Sequence, residues 1–436
     1  MATLGYSALV PTSPCYARKR RRQPGRGEGT VRTVPGGNRS LNILIIANVQ
    51  WPRFGIVAGG TAHALEVARI FADEHTVRVV VPAFIEPDAR RDYPDLQFIV
   101  TPVPRVFAGS TIATQCIAFF NWIARRREMA GADAIIAASH FLGDVLPLLF
   151  LRNSAAVVIV HHLVEPPWRR KGNPLANALH FVAERLALLV TRWRADAVLT
   201  DSRIVEAQIR RFGIRQKTFL TVNAPHETPY AAGRNGNTNS VLFVGRLAPT
   251  KGIEALLSAW TNVLRAEPEA ELWIAGGGGE GYSRKLRAMA DKLGLGRSVT
   301  FLGRVSEPVK SKLFNEANVF AFPSVEEGFG ISIAEAMLAG LPCVTYDLPI
   351  FDELFPVGRC AARRGNPADL ARCIITLLRD EGLRRELADS GRRFCRRYSW
   401  ANAARCDLAA VDYVVTERTN DAREESRRAA QKRTGT

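Results

Sequence analysis

From residue 41 onward the chain alternates unbroken apolar runs with amphipathic helical periods, and it does so twice. The first set of runs covers residues 41–47, 77–81, 98–100, 134–138, 156–160 and 197–200, with helical periods over 61–72, 112–129 and 175–193. A strand with one wet face alternates polar and apolar residues. A run such as Ala-Val-Val-Ile-Val at 156–160 does not alternate, so both its faces must be buried. Helices interleaved with such strands predict a parallel sheet covered on both sides. Residues 223–240 then break the period with Pro225, Pro229, Gly233, Gly236 and four Asn, as an interdomain linker does. The alternation restarts at 241–244, 271–275, 298–302, 319–322 and 342–346. The fold class expected is therefore α/β, with two doubly wound, Rossmann-like domains over 41–222 and 241–399 facing a cleft. A helix over 400–416 follows, with packing against the first domain as one option, and a charged tail over 417–436 is expected to fray.

The length of 436 residues exceeds what one ordinary core organises, which agrees with two domains. The formal charge of +17 raises nucleic-acid binding. Eight Lys/Arg against Glu28 alone lie within residues 1–40, a Gly- and Pro-rich stretch without apolar period that reads as a disordered basic tail. No aromatic stripe interleaves the remaining cations, so nucleic acid is not an expected partner. A moderately basic body suits an enzyme of anionic substrates, or one working beside an anionic membrane. Seven cysteines include no C-x-x-C pair and read as small apolar fillers in a reducing, cytoplasmic setting. The start shows no secretory pattern, because its basic run follows the weak apolar patch. The most apolar stretch, 141–160, is interrupted by Asp144, Pro147, Arg152 and Asn153, so no membrane span is expected.

Chemistry concentrates in Pro323-Ser-Val-Glu-Glu-Gly-Phe-Gly-Ile-Ser-Ile-Ala-Glu-Ala-Met-Leu-Ala-Gly340. A strand ends at Phe322, Gly328 and Gly330 let the backbone approach a ligand, and a helix begins near Ile331. Helix N-termini favour phosphate through unpaired N–H groups and the dipole. Glu327 before the helix and Glu335 a turn inside it face the same cleft at different heights, and a carboxylate that accepts from paired ribose hydroxyls suits one of them. The plainer reading is a pair of acids that only complement the dipole. A second segment, 241–252, carries Arg246 after a strand and Lys251-Gly252 at the next helix. Two fixed cations there suit a diphosphate leaving group; as isolated surface charges they would mean nothing. No D-x-D pair appears that would hold a divalent ion against a diphosphate.

Together with Glu271-Leu-Trp-Ile-Ala-Gly-Gly-Gly279 and Val299-Thr-Phe-Leu-Gly-Arg-Val305, these segments closely resemble the donor domain of retaining glycosyltransferases of family 4, which have the GT-B fold. The resemblance runs from Leu41 to about Asp412. It implies that Arg246 and Lys251 bind the donor diphosphate and Glu335 the ribose. Glu327 and the backbone around Phe329, Gly330 and Ile331 would hold the transferred sugar, with Gly328 in the same loop. Gly59-Gly60 would approach the diphosphate from the first domain, and His161 matches the family histidine near the sugar. His140 and His162 end similar strands and are more ordinarily structural. The pattern departs from the family at Val222-Asn-Ala-Pro225, where Pro-Asn-Gly is usual, and at Arg359-Cys-Ala-Ala-Arg-Arg364.

What the resemblance implies is metal-independent, retaining hexosyl transfer without a cofactor, from a nucleoside-diphosphate sugar to a glycan, lipid-linked or small-molecule hydroxyl. Entry of the acceptor on the leaving group's own face distinguishes this scheme from the double-carboxylate route of retaining glycosidases. A silent nucleotide-sugar-binding subunit and a GT-B phosphorylase or epimerase are the rivals. Trp168-Arg-Arg-Lys171, Arg125–Arg127 and the helix over 175–194 allow either a monotopic face on an anionic membrane or a core helix with basic ends.

Overall fold

The structure, a computed structural model, describes residues 40–48, 59–102, 125–163, 166–169, 174–225 and 239–434. The basic tail up to residue 39, linker residues 226–238, and the first part of the helix expected over 112–129 lie outside them. Residues 125–129 are helical.

Seven strands form the first sheet: β1 (Asn42–Ile46), β2 (Thr76–Pro82), β3 (Gln97–Thr101), β4 (Ala134–Ala137), β5 (Ala155–Val160), β6 (Ala197–Thr200) and β7 (Lys217–Leu220). Six form the second: β8 (Ser240–Val244), β9 (Glu271–Ala275), β10 (Val299–Gly303), β11 (Val319–Phe322), β12 (Cys343–Tyr346) and β13 (Arg359–Ala362). All pairings are parallel. The orders are β3-β2-β1-β4-β5-β6-β7 and β10-β9-β8-β11-β12-β13, so this is the doubly wound α/β architecture expected. Each order reverses once, between β1 and β4 and between β8 and β11. Doubly wound sheets bind ligands outside the strand ends at those reversals.

Central strands β4, β5, β6, β8, β11 and β12 are buried at every residue, which is why they appear as unbroken apolar runs. Edge strands β7 and β13 carry half-exposed residues and no such run, so only the fold reveals them. The described cysteines, Cys343, Cys360, Cys373, Cys395 and Cys406, are free thiols, and all but half-buried Cys360 are buried.

Two contacts bind the domains. Glu353, in the helix Pro349–Leu354, accepts from the backbone N–H of Arg203 at 2.6 Å and of Ile204 at 3.1 Å. It thus caps the first-domain helix Arg203–Arg211 from the second domain, adding to its own cap Ser202. The helix Trp400–Thr434 returns to the first domain, where Asp407 meets His63 and Thr221 and Arg418 meets Asp196 at 3.1 Å. The sequence pattern stops this helix near Thr416 and lets 417–436 fray; the structure instead carries it to Thr434. Its last half is rich in Ala, Glu and Arg, which hold a helix without an apolar face, and Arg418 anchors it by a bond to the Arg152 carbonyl.

Candidate active site

The cluster of charges begins at the β8/β11 reversal. Past β8 the chain makes a tight turn, Pro249–Lys251, closed by Gly252 at φ 71°. A Cβ at Gly252 would lie 1.9 Å from the Pro323 carbonyl oxygen, so this turn fits against the segment after β11 only with glycine. Ser324 Oγ and the Val325 N–H then both donate to the Thr250 carbonyl, at 3.0 and 2.8 Å. The two motifs of the sequence are thereby one surface. Lys251 Nζ donates to Glu327 Oε1 and stands 5.6 Å above the Phe322 ring, with both side chains only 14% and 10% exposed. Burial pulls the Arg246 guanidinium below its usual pKa, partly offset by Glu327 and Glu326, which places two acids beside it.

Gly330, at φ 99°, caps the helix Ile331–Leu338. Its neighbour Phe329 is 5% exposed and turns into an aromatic cluster, edge-on to Tyr398 at 4.9 Å and Phe355 at 5.7 Å. The side chain therefore anchors the loop, and the ligand-facing part is its backbone. Glu335 lies on the same helix, 3% exposed, with Oε1 2.8 Å from Lys310 Nζ. Lys310 also reaches Glu307 at 2.8 Å. Burial opposes the Lys310 charge, but Glu335 and Glu307 outweigh it and raise its pKa above the usual value. Sequence reading missed Lys310. Its only signal was a lysine three residues after a glutamate in the helix Glu307–Glu316, a spacing common on exposed helices.

Across the cleft, His161 follows β5. Its Nδ1 is 2.9 Å from Asp201 Oδ2 and its Nε2 is 3.2 Å from the Ala138 carbonyl oxygen. With an acceptor at each nitrogen the ring donates twice. Burial disfavours its charge, yet Asp201 prevails and the pKa is raised. Gly60, in the first turn of the helix Gly59–Phe71, abuts this ring: a Cβ there would sit 3.0 Å from Nε2. Gly328 meets the same segment from the second domain, where a Cβ would sit 3.1 Å from the His161 carbonyl oxygen and 3.2 Å from the His162 side chain. His162 is neutral near pH 7, its pKa pushed down to about 4 by burial and by the neighbouring His140. His140 is 1% exposed and bonded to buried Glu184 at 3.0 Å, which is a structural placement.

So the fold brings Glu327, Lys251, Gly328, Gly60 and His161 to one crevice, with Arg246 beside Glu327 and Glu335 one helical turn deeper. Fixed positive charge enters it from both domains. The second positive residue cluster, Arg125–Arg127, is exposed and away from these contacts.

A family model described as Glycosyl transferases group 1 matches residues 227–394. A phosphatidyl-myo-inositol mannosyltransferase of Mycobacterium leprae is 26% identical over 387 residues, covering 83% of this chain and 95% of that protein. Its Mycobacterium tuberculosis counterpart (strain H37Rv) is 34% identical over 224 residues, half of this chain and 55% of its own length. Among solved structures, Anabaena HepE in complex with UDP and glucose aligns with a TM-score of 0.67 at 18% identity, covering 86% of this chain and 100% of that one. Sucrose-phosphate synthase from Thermosynechococcus elongatus gives 0.69 at 20% identity, covering 84% and 96%. At these identities the structural likeness establishes the fold.

Proposed function

Because the chain belongs to the group 1 glycosyltransferases of the GT-B fold, we propose that it is a retaining hexosyltransferase that needs no metal. Its donor is a nucleoside-diphosphate sugar and its acceptor a hydroxyl presented at a lipid surface. The observation that carries this reading is the meeting of Lys251–Glu327 with the Gly328–His161 contact, cations arriving from both domains where a sugar diphosphate would lie. In this scheme Arg246, Lys251, the Gly59-Gly60 helix start and the His161 imidazolium neutralise the departing diphosphate. Glu335 accepts from the ribose hydroxyls. Glu327 holds the sugar and stabilises positive charge at the anomeric carbon without bonding to it. The acceptor oxygen bonds to that carbon as the phosphate oxygen leaves on the same face and takes the acceptor proton. The UDP and UDP-glucose in HepE complexes support the donor class.

Phosphatidylinositol vesicles are the first acceptor to try, given the lipid named for the mannosyltransferase relatives. With UDP-glucose, GDP-mannose and ADP-glucose as donors, one is expected to release nucleoside diphosphate faster when vesicles are added, with EDTA present, and to yield a product of unchanged anomeric configuration by NMR. Release unaffected by any hydroxyl-bearing lipid, glycan or small molecule would favour the silent-subunit rival. Consumption driven by inorganic phosphate instead would favour the phosphorylase.

Membrane contact rests on the helix Pro174–Arg194. It buries Ala183, Glu184, Ala187, Leu188 and Thr191 and leaves a second apolar face in solvent, so it is not simply a core helix. Leu175, Leu179, Val182, Leu186, Leu189 and Trp193 are 47–69% exposed and recur every three or four residues, a straight stripe of about 27 Å. The helix has one acid, Glu184, and it is buried; Arg185 and Arg192 flank the stripe. A face without acids complements an anionic lipid surface better than a second copy of itself. Among the described residues no helix is long and apolar enough to cross a membrane. In flotation, the protein is expected to rise with anionic vesicles, and the pair Val182→Glu and Leu186→Glu to stay at the bottom of the gradient. Equal flotation of that variant removes the stripe from the account.

A further inference from the structure

A buried polar chain connects both crossings between the domains to His161. Asn223 lies just past β7, where the chain first leaves the first domain; Asp407 lies in the helix Trp400–Thr434, where it returns. Asp407 Oδ1 accepts from Thr221 Oγ1 at 2.6 Å, and its Oδ2 is 2.7 Å from His63 Nε2. His63 Nδ1 is 3.2 Å from Asn223 Oδ1. Asn223 Nδ2 donates at 3.0 Å to Asp201 Oδ2, the oxygen that also accepts from His161. His63, Asp201, Thr221, Asn223 and Asp407 are all at most 4% exposed, and the rings of Trp400 and His161 stand edge-on to His63 at 6.0 and 5.9 Å.

Burying this many polar groups costs stability that an apolar core would not forfeit, so their arrangement calls for a reason beyond packing. Asp201 supplies one. Its Oδ1 makes no hydrogen bond among the described residues, and both of its donors converge on Oδ2. Without the Asn223 amide the carboxylate is free to turn, and the His161 ring turns with it. We propose that Asn223, His63 and Asp407 are positioning residues for His161. They fix Asp201, which fixes the plane and protonation of the imidazole, so the ring is aimed into the cleft only when both crossings are seated. The helix that carries His63 also carries Gly60 against the same ring, so one seating sets both first-domain elements of the crevice. The catalytic part of this proposal rests on the reading of His161 as a group that serves transfer; the positional part does not.

Histidine-selective 15N NMR on the full chain separates the two. The His161 signals, assigned by their loss in His161→Ala, should show both nitrogens protonated in the wild type. In Asn223→Ala they should move towards a single neutral tautomer while the thermal midpoint changes little. His161 signals that stay in place in Asn223→Ala overturn the proposal. Thr221→Val, which loosens only Asp407, is the second variant should Asp407→Asn not fold, and should produce the same movement in smaller degree. In turnover, Asn223→Ala is expected to lower kcat between about 10- and 100-fold at unchanged donor KM, and to add less than about twofold to the defect of His161→Ala. Multiplying defects overturn the coupling. Wild-type turnover in His161→Ala, with the NMR movement intact, would instead overturn the catalytic reading of His161 and leave the positioning standing.

Discussion

Lys251→Met is expected to lower kcat by about 10²–10³-fold, the usual loss when one preorganised charge is withdrawn from a developing anion. The donor should still bind, because Glu335 and Lys310 lie outside this pair. The substitution also leaves Glu327 facing an alkyl chain at a site where it is 10% exposed. An unpaired carboxylate there costs about 1–3 kcal/mol of stability, reduced by the nearby Arg246. The double variant with Glu327→Gln distinguishes the two effects: its thermal midpoint should recover while kcat stays low. Steady-state kinetics and melting on the three proteins decide this. Near-normal turnover in Lys251→Met would remove the lysine from leaving-group stabilisation.

Glu335→Ala is expected to act on binding. Hydrogen bonds to a charged partner contribute about 1.5–3 kcal/mol, so losing the ribose acceptor should raise donor KM about 10- to 100-fold. A ligand that binds only the native state raises the melting midpoint. UDP, GDP or ADP, whichever shifts the wild type, should shift Glu335→Ala little or not at all. Lys310 then retains only Glu307, whose side chain is 64% exposed, so the variant itself should melt lower without ligand. A full nucleotide shift in Glu335→Ala would place the ribose elsewhere.

Legibility followed the range of the interactions. The sheets could be read because burial on both faces of β4, β5, β8 and β11 writes itself into consecutive apolar residues. The β8 and β11 motifs could be read because each is local, a strand, a turn and a helix start. Their union could not: that Lys251 meets Glu327 depends on Gly252 touching Pro323, 71 residues apart in the chain. Lys310, Asp201 and Asn223 were missed as site residues for the same reason, since no spacing records which oxygen they reach. Val222-Asn-Ala-Pro225 stood out only as a departure in a turn, and its asparagine proved to bridge His63 and Asp201. The extension of the last helix to Thr434 was missed because a helix without an apolar face has no period to detect.

The return of the helix Trp400–Thr434 has a consequence for the order in which the protein matures. Chains emerge from the ribosome N-terminus first, and domains generally fold as they appear. Here β1 through β7 are all synthesised before residue 221, yet the carboxylate against His63 and Thr221 belongs to residue 407. The nascent first domain therefore spends the whole synthesis of the second with its central histidine facing water and the start of the Arg203–Arg211 helix lacking Glu353. It becomes a finished domain only when the last helix docks. Stopping translation before Trp400 would deliver two complete sheets and an unfinished enzyme.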